Sequence, residues 1–150
     1  MPPSEWLFWL AGMLILLGVI FPIVISSLAT LSGWEQLASH YRLQGDFPQG
    51  GHRFQSMMLN NASYRRILRM VETPQGVYLV PMGLFRLDHP PLFIPWNTIQ
   101  IKEQPTWWGW YRGHIQTTPP VEFHVPPTVK RRWAPYLQSA SSSPLTPQIS

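Results

Sequence analysis

The sequence predicts an N-terminal transmembrane α-helix followed by a small, mainly-β domain, an antiparallel barrel of about seven strands with a C-terminal helix. Two patterns predict this class. Residues 6–31 form one apolar run without an ionisable side chain, and the chain after residue 52 divides into short apolar or alternating runs separated by turn residues. The composition points the same way, because charged residues make up only 12%, aromatics reach 13% with 8 Trp, and 17 prolines disfavour a helical body.

The apolar run predicts a retained membrane anchor. About 20 residues cross the hydrocarbon of a bilayer, so residues 6–31 are long enough with some tilt. Trp6 and Trp9 lie where an interfacial aromatic belt is expected, Trp34 is assigned to the other boundary, and Pro22 is expected to kink the helix. A signal peptide is disfavoured because no Lys or Arg precedes the run, and a buried soluble helix because the remaining chain offers little core.

The distribution of charge predicts the orientation of the anchor. All 11 Lys and Arg lie after the apolar run together with six of the seven acids, so residues 32–150 carry a formal balance of +5. Basic residues collect on the cytoplasmic side. We therefore expect the N-terminus outside and the domain against the anionic inner leaflet of the inner (plasma) membrane, although ordinary solvation is an alternative reason for a modest positive balance.

Nucleic acid is not an expected partner. The basic residues cluster only at residues 65–69 and 130–132, and no recognised nucleic-acid-binding motif accompanies them.

The anchor is assigned to residues 1–31, and residues 32–51 are predicted to form a juxtamembrane helix and linker. Ser32 and Glu35 have the spacing of a capping box, in which each side chain satisfies a backbone N–H of the first turn. Glycines and a proline end the helix, which we expect to be a strut packed on the domain rather than part of it. Apolar residues share one helical face: Trp34, Leu37, Ala38 and Tyr41.

Residues 52–138 are predicted to form the β domain. The fifth of its runs is the clearest strand, because Ile99 and Ile101 point one way and Gln100 points the other. A C-terminal helix is predicted over residues 126–139, and residues 139–150 have the composition of a disordered tail. The seven runs with strand character are residues 52–59, 63–71, 76–82, 91–96, 97–104, 107–117 and 121–125.

Two segments carry a resemblance to known proteins. GWEQLASHYR, residues 33–42, and GVYLVPMGLFRLDHPPLFIPWNTI, residues 76–99, resemble a group of bacterial single-pass membrane proteins whose soluble part is similar to the pleckstrin-homology-like fold of GRAM and bacterial PH domains. The match spans most of residues 33–103. It implies a two-sheet barrel of seven strands with a C-terminal helix, and membrane-proximal binding or scaffolding. Pro135 departs from the pattern, because it would interrupt the last helix.

An Arg, an Asp and a His stand close together in LFRLDHPP, residues 84–91, and raise the question of catalysis. Asp88 and His89 are neighbours, so their side chains diverge in an extended chain, and no G-x-S-x-G motif or thiol supplies a nucleophile. His89 is interpreted as a turn side chain that bonds backbone groups. The histidines lack metal spacing, although His114 and His124 are able to meet across paired strands. We expect a non-enzymatic protein without a cofactor or metal site.

The aromatic stretch at residues 105–114 is the predicted contact surface. A strand would place Trp108, Trp110 and Arg112 on one face and Trp107 on the other. A half-buried strand uses one apolar face, so we expect Trp107 or Trp108 to be exposed and to dock on lipid or a partner; the alternative is that the terminal helix covers the surplus. The basic residues of that helix complete the candidate contact set: Lys130, Arg131 and Arg132.

The function predicted from these features is a membrane-anchored, non-catalytic binding or scaffolding module at the cytoplasmic face. Its expected partners are membrane lipids, through the anchor, and a protein. An accessory single-pass subunit of a larger membrane complex is the alternative.

Overall fold

The computed structural model describes residues 2–60 and 62–142. An N-terminal helix, α1 (Pro3–Leu31), is followed by a short helix, α2 (Trp34–Tyr41), seven strands and a C-terminal helix, α3 (Pro127–Ser142). Each of the seven predicted runs contains a strand, but residues 107–110 of the sixth run form a turn. The strands are β1 (His52–Leu59), β2 (Ala62–Glu72), β3 (Gly76–Pro81), β4 (Leu92–Pro95), β5 (Ile99–Ile101), β6 (Tyr111–Ile115) and β7 (Val121–Val125).

The seven strands pair antiparallel in one nearly closed sheet, in the order β4-β3-β2-β1-β7-β6-β5. The edge strands β4 and β5 are consecutive in the chain and are joined by the 3-10 turn Trp96–Thr98. Helix α3 lies over this turn: Trp96 stacks on Tyr136 with ring centroids 5.2 Å apart and meets Trp133 at 5.5 Å. The helix therefore covers the gap between the two edges of the sheet.

The core lies inside the curled sheet and beneath α2 and α3. Alternation along the strands selects the buried side chains, as on β5, where Ile99 is buried and Gln100 is exposed. On β2, Tyr64, Leu68 and Met70 are fully buried and mark the face of the strand that turns to the core.

Helix α3 continues through Pro135 to Ser142, so the proline does not shorten it. A proline inside a helix removes one backbone hydrogen bond. Side-chain contacts to the sheet hold the helix, since Trp133 is fully buried and its indole N–H donates to the Glu72 carboxylate at 3.2 Å. Residues 143–150, most of the predicted tail, lie outside the described residues.

Helix α1 is the predicted apolar helix. Ser4–Ser27 is long and apolar enough to cross a membrane, its large apolar side chains are mostly exposed, and the helix runs unbroken through Pro22. Its C-terminal part contacts the domain, because Ile25 is buried and the Phe21 ring lies 6.3 Å from that of Phe85. The helix therefore projects from the domain and is tied to it at one end.

The start of α2 corrects two predictions. Its N-cap is Gly33 in a left-handed conformation (φ +79°), and the capping box of Ser32 and Glu35 is not formed. The Ser32 hydroxyl instead accepts the Trp34 N–H at 3.3 Å and lies 2.7 Å from the Tyr64 hydroxyl. Trp34 is fully buried, so it is a core residue rather than an anchor at a membrane boundary.

Candidate functional site

Residues 102–110, here the aromatic loop, connect β5 to β6 and carry three tryptophans. A tight turn shapes the tip of this loop. The Thr106 N–H donates to the Trp110 carbonyl at 2.7 Å, and the Gly109 N–H donates to the Thr106 carbonyl at 2.9 Å. Gly109 has a φ of +92°, which favours glycine. The backbone hydrogen bonds thus hold the tip in one conformation.

The turn separates the tryptophans by exposure. Trp107, at the tip, is 96% exposed, Trp108 is 37% exposed, and Trp110 is half-buried. The Trp108 ring packs against Trp110 at 5.5 Å and against His124 at 5.2 Å. The expectation that Trp107 or Trp108 is exposed agrees with this geometry, and α3 does not cover Trp107. Covering an exposed indole with apolar surface is favourable, so Trp107 is available to a partner.

An open cleft of about 310 Å³ lies beside Trp107 and Trp108. Lys102 and Arg112 contribute positive charge to its wall. The Arg112 Nε lies 3.5 Å from a Glu122 carboxylate oxygen, which offsets part of that charge. The cleft therefore combines indole surface with cationic groups, a lining that suits an apolar group next to an anionic one.

The carboxylate of Glu122 brings together three side chains behind this cleft. Arg112, His114 and His124 lie 3.5, 3.7 and 3.8 Å from its oxygens. His124 is buried, and burial lowers the pKa of its ring, whereas the charge of Glu122 opposes this shift. The His124 Nδ1 has no hydrogen-bond partner among the described residues. Within residues 2–60 and 62–142, no group of three or more His, Asp or Glu is arranged to hold a metal.

The basic candidates of α3 separate in the structure. The Lys130 ammonium lies 4.5 Å from the centroid of the Tyr111 ring, at the base of the aromatic loop, and Arg131 is exposed. Arg132 is half-buried and donates to the Glu72 carboxylate at 3.0 Å. Lys130 therefore adds to the positive charge near the loop, whereas Arg132 holds α3 on the sheet.

A buried polar group lies where α1 and α2 meet the sheet. This junction cluster consists of Ser32, Trp34, Tyr64 and His89, all fully buried. The Tyr64 hydroxyl lies 2.7 Å from Ser32 Oγ and 3.0 Å from His89 Nε2, and His89 Nδ1 lies 3.0 Å from the Leu87 carbonyl oxygen. A carbonyl only accepts, so Nδ1 donates to it, and the second ring nitrogen, Nε2, is hydrogen-bonded to the Tyr64 hydroxyl.

The junction cluster changes the interpretation of His89. The predicted bond to a backbone group exists, but the second ring nitrogen bonds the Tyr64 phenol of β2, and the ring packs edge-on against Trp34 at 5.3 Å. Asp88 has a left-handed backbone (φ +59°) and accepts a hydrogen bond from the Ser26 hydroxyl of α1. Burial raises the pKa of Tyr64 to about 12. The cluster therefore ties the helices to the sheet and offers no open surface to a substrate.

No protein-family model, curated protein or solved structure matches this chain. The aromatic loop and α1 are the two features of the structure that bear on its function.

Proposed function

We propose that the chain is a single-pass membrane protein whose pleckstrin-homology-like β domain is a non-catalytic binding module at the cytoplasmic face. The aromatic loop carries the proposal, because a hydrogen-bonded turn holds Trp107 in solvent beside a cleft with cationic side chains. Helix α1 supplies the anchor, since its exposed apolar surface is long enough to span a bilayer.

The position of the aromatic loop favours a protein partner over the lipid around α1. The turn between β6 and β7 accepts hydrogen bonds from α2, which directly follows α1. The aromatic loop leaves the opposite end of the same strands, since Tyr111 pairs with Val125 whereas Ile115 pairs with Val121. At ~3.4 Å per residue these ends lie ~14 Å apart. The loop is therefore remote from the end at which α1 joins the domain.

The residue types of the loop are those that dominate binding at protein interfaces. Trp and Arg are enriched among the few side chains that supply most of the binding energy. Trp107 offers a large rigid apolar surface, and Lys102 and Arg112 stand close enough to meet a carboxylate on the same partner. We infer a partner segment that presents an apolar side chain next to an acidic one.

An accessory subunit of a larger membrane complex is the second candidate. The attachment of α1 favours it, because the burial of Ile25, the Ser26–Asp88 hydrogen bond and the Phe21–Phe85 contact hold the helix against the domain. A fixed helix can present one face to neighbouring membrane helices. A subunit of this kind would co-purify at fixed stoichiometry and be unstable alone, whereas a binding module would remain folded without its partner.

Co-purification from membranes in a gentle detergent tests the binding role of the aromatic loop. Trp107→Ala should keep the melting temperature of the full-length chain, because an exposed side chain contributes little to folding. It should retain ~30-fold less partner, as loss of a ~2 kcal/mol contact predicts. Phe54→Ala is the matched control, since Phe54 is an exposed aromatic residue outside both the aromatic loop and the segment that contacts α1. Equal retention by both variants, or equal loss, contradicts the assignment.

A further inference from the structure

Residues 82–88, here the apolar loop, form the first part of the connection between β3 and β4 and place large apolar side chains at the surface beside α1. Leu84 is 65% exposed and Leu87 is 51% exposed. Phe85 is half-buried because its ring meets Phe21 of α1, with centroids 6.3 Å apart. The loop therefore exposes apolar surface that adjoins the apolar surface of the helix.

The contacts with α1 define the depth of the apolar loop. With a rise of ~1.5 Å per residue, Phe21 lies ~9 Å along the helix from Ser27, the end of the apolar stretch. Phe85, which meets Phe21, therefore lies at the level of the hydrocarbon when α1 spans a bilayer. Asp88, which bonds Ser26, lies near the edge of that stretch. The apolar side chain is the deeper and the acidic one the shallower, as a membrane interface requires.

Arginines lie within and beside the apolar loop. Arg86 belongs to the loop and is exposed. The loop also adjoins β2, because the Met82 N–H donates to the Ile67 carbonyl at 2.7 Å, and the exposed residues Arg65 and Arg66 directly precede Ile67. Arginine stems lie along apolar surface while their guanidinium groups reach water and phosphate. This arrangement complements anionic lipid headgroups.

We propose that the apolar loop inserts into the membrane that α1 spans and forms a second lipid contact, which fixes the tilt of the domain on the bilayer. The occupant is lipid because the loop continues the lipid-facing surface of α1 through the Phe21–Phe85 contact and because arginines flank it. This inference rests on the proposed role of α1 as a membrane anchor. The domain would then contact lipid at the end that carries the apolar loop and a protein partner at the end that carries the aromatic loop.

Depth measurements on spin-labelled full-length protein test the insertion. The chain contains no cysteine, so single cysteines give labels without background. Labels at L84C and L87C are compared with one at L16C in α1 and one at W107C on the aromatic loop, all in vesicles of phosphatidylcholine and phosphatidylglycerol. Power saturation measures collisions with oxygen, which concentrates in hydrocarbon, and with a water-soluble nickel chelate.

The L84C and L87C labels should behave like L16C, with high oxygen access and nickel access several-fold below that at W107C. Nickel access at L84C equal to that at W107C, with L16C shielded, overturns the insertion and leaves the anchor intact. Protection of both loop labels from oxygen and nickel means that protein covers them, which also overturns the proposal. Nickel access at L16C equal to that at W107C would show that α1 does not lie in the hydrocarbon. It would contradict the insertion and the proposed membrane role together.

Discussion

The Tyr64→Phe substitution removes one oxygen atom from the junction cluster and should destabilise the fold markedly. The hydroxyl is fully buried between Ser32 Oγ at 2.7 Å and His89 Nε2 at 3.0 Å. Phenylalanine fills the same space but leaves both neighbours without this partner. The Ser32 hydroxyl keeps its bond from the Trp34 N–H, whereas His89 Nε2 loses its partner. A buried polar group without a partner costs ~1–3 kcal/mol, so we expect a loss of ~1–3 kcal/mol.

This loss is large against the ~5–15 kcal/mol that stabilises a typical small domain. At ~4–8 °C per kcal/mol, the melting temperature should fall by roughly 4–24 °C. Near-ultraviolet circular dichroism of the full-length chain in detergent measures it. Tyr78→Phe is the matched control, because the half-buried Tyr78 ring packs against Phe93 at 4.7 Å, and it should cost less than about 1 kcal/mol. Equally small losses in both variants would refute the role of the junction cluster.

The same phenol predicts a loss of stability at high pH. Burial raises the pKa of Tyr64 from 10.0 to about 12. As the pH rises, the unfolded state therefore releases this proton before the folded state does, and stability falls between pH 10 and 12. The wild-type chain should lose melting temperature more steeply over this window than Tyr64→Phe. Parallel slopes would contradict the burial of the phenol.

Acidification should destabilise the fold through His124. Burial lowers the pKa of this side chain below 6.5, so the unfolded state binds the proton first and the stability of the fold falls as the pH drops below 6.5. The melting temperature of His124→Gln should fall less steeply than that of the wild type, and equal slopes would count against this origin. Gly113→Ala should lower the free energy of unfolding by ~1–3 kcal/mol or more, measured by thermal unfolding. A Cβ at this position would lie 2.3 Å from the Phe123 ring and 2.5 Å from the Gln100 carbonyl oxygen. An unchanged melting temperature would mean that the neighbouring atoms move away without cost and would contradict this prediction. A cysteine in place of Ser141, exposed on α3, should resist an impermeant thiol reagent in intact cells and react after lysis, whereas labelling of intact cells would reverse the proposed orientation.

The sequence predicted the elements whose formation depends on local periodicity. Helix α1 follows from an uninterrupted apolar run, and the seven strands follow from short runs bounded by glycine and proline. The predicted alternation on β5 is present in the structure, where Ile99 is buried and Gln100 is exposed. The prediction that Trp107 or Trp108 is exposed agrees with the structure, in which Trp107 is the more exposed of the two, but the turn at Gly109 was not predicted.

The failures lie where contacts between distant segments decide the outcome. An indole at a membrane boundary and an indole in a core have the same needs, an apolar environment and an acceptor for N–H, and Trp34 finds its acceptor in the Pro90 carbonyl at 2.9 Å. Ser32 was expected to cap α2, but it pairs with Tyr64. Tyr64 and His89 meet across 25 positions of sequence, and no local pattern marks either as the other's partner.

Photocrosslinking at the tip of the aromatic loop in intact cells tests most directly the central claim that this loop holds a protein partner. Benzoylphenylalanine in place of Trp107 keeps a large aromatic group at the exposed position, and the same replacement at Gln138, exposed on α3, is the control. We predict a discrete protein adduct from position 107 that is absent from position 138 and is weakened by Arg112→Gln. Lipid adducts alone, or no adduct from position 107 in protein that resides in the membrane, would contradict the claim.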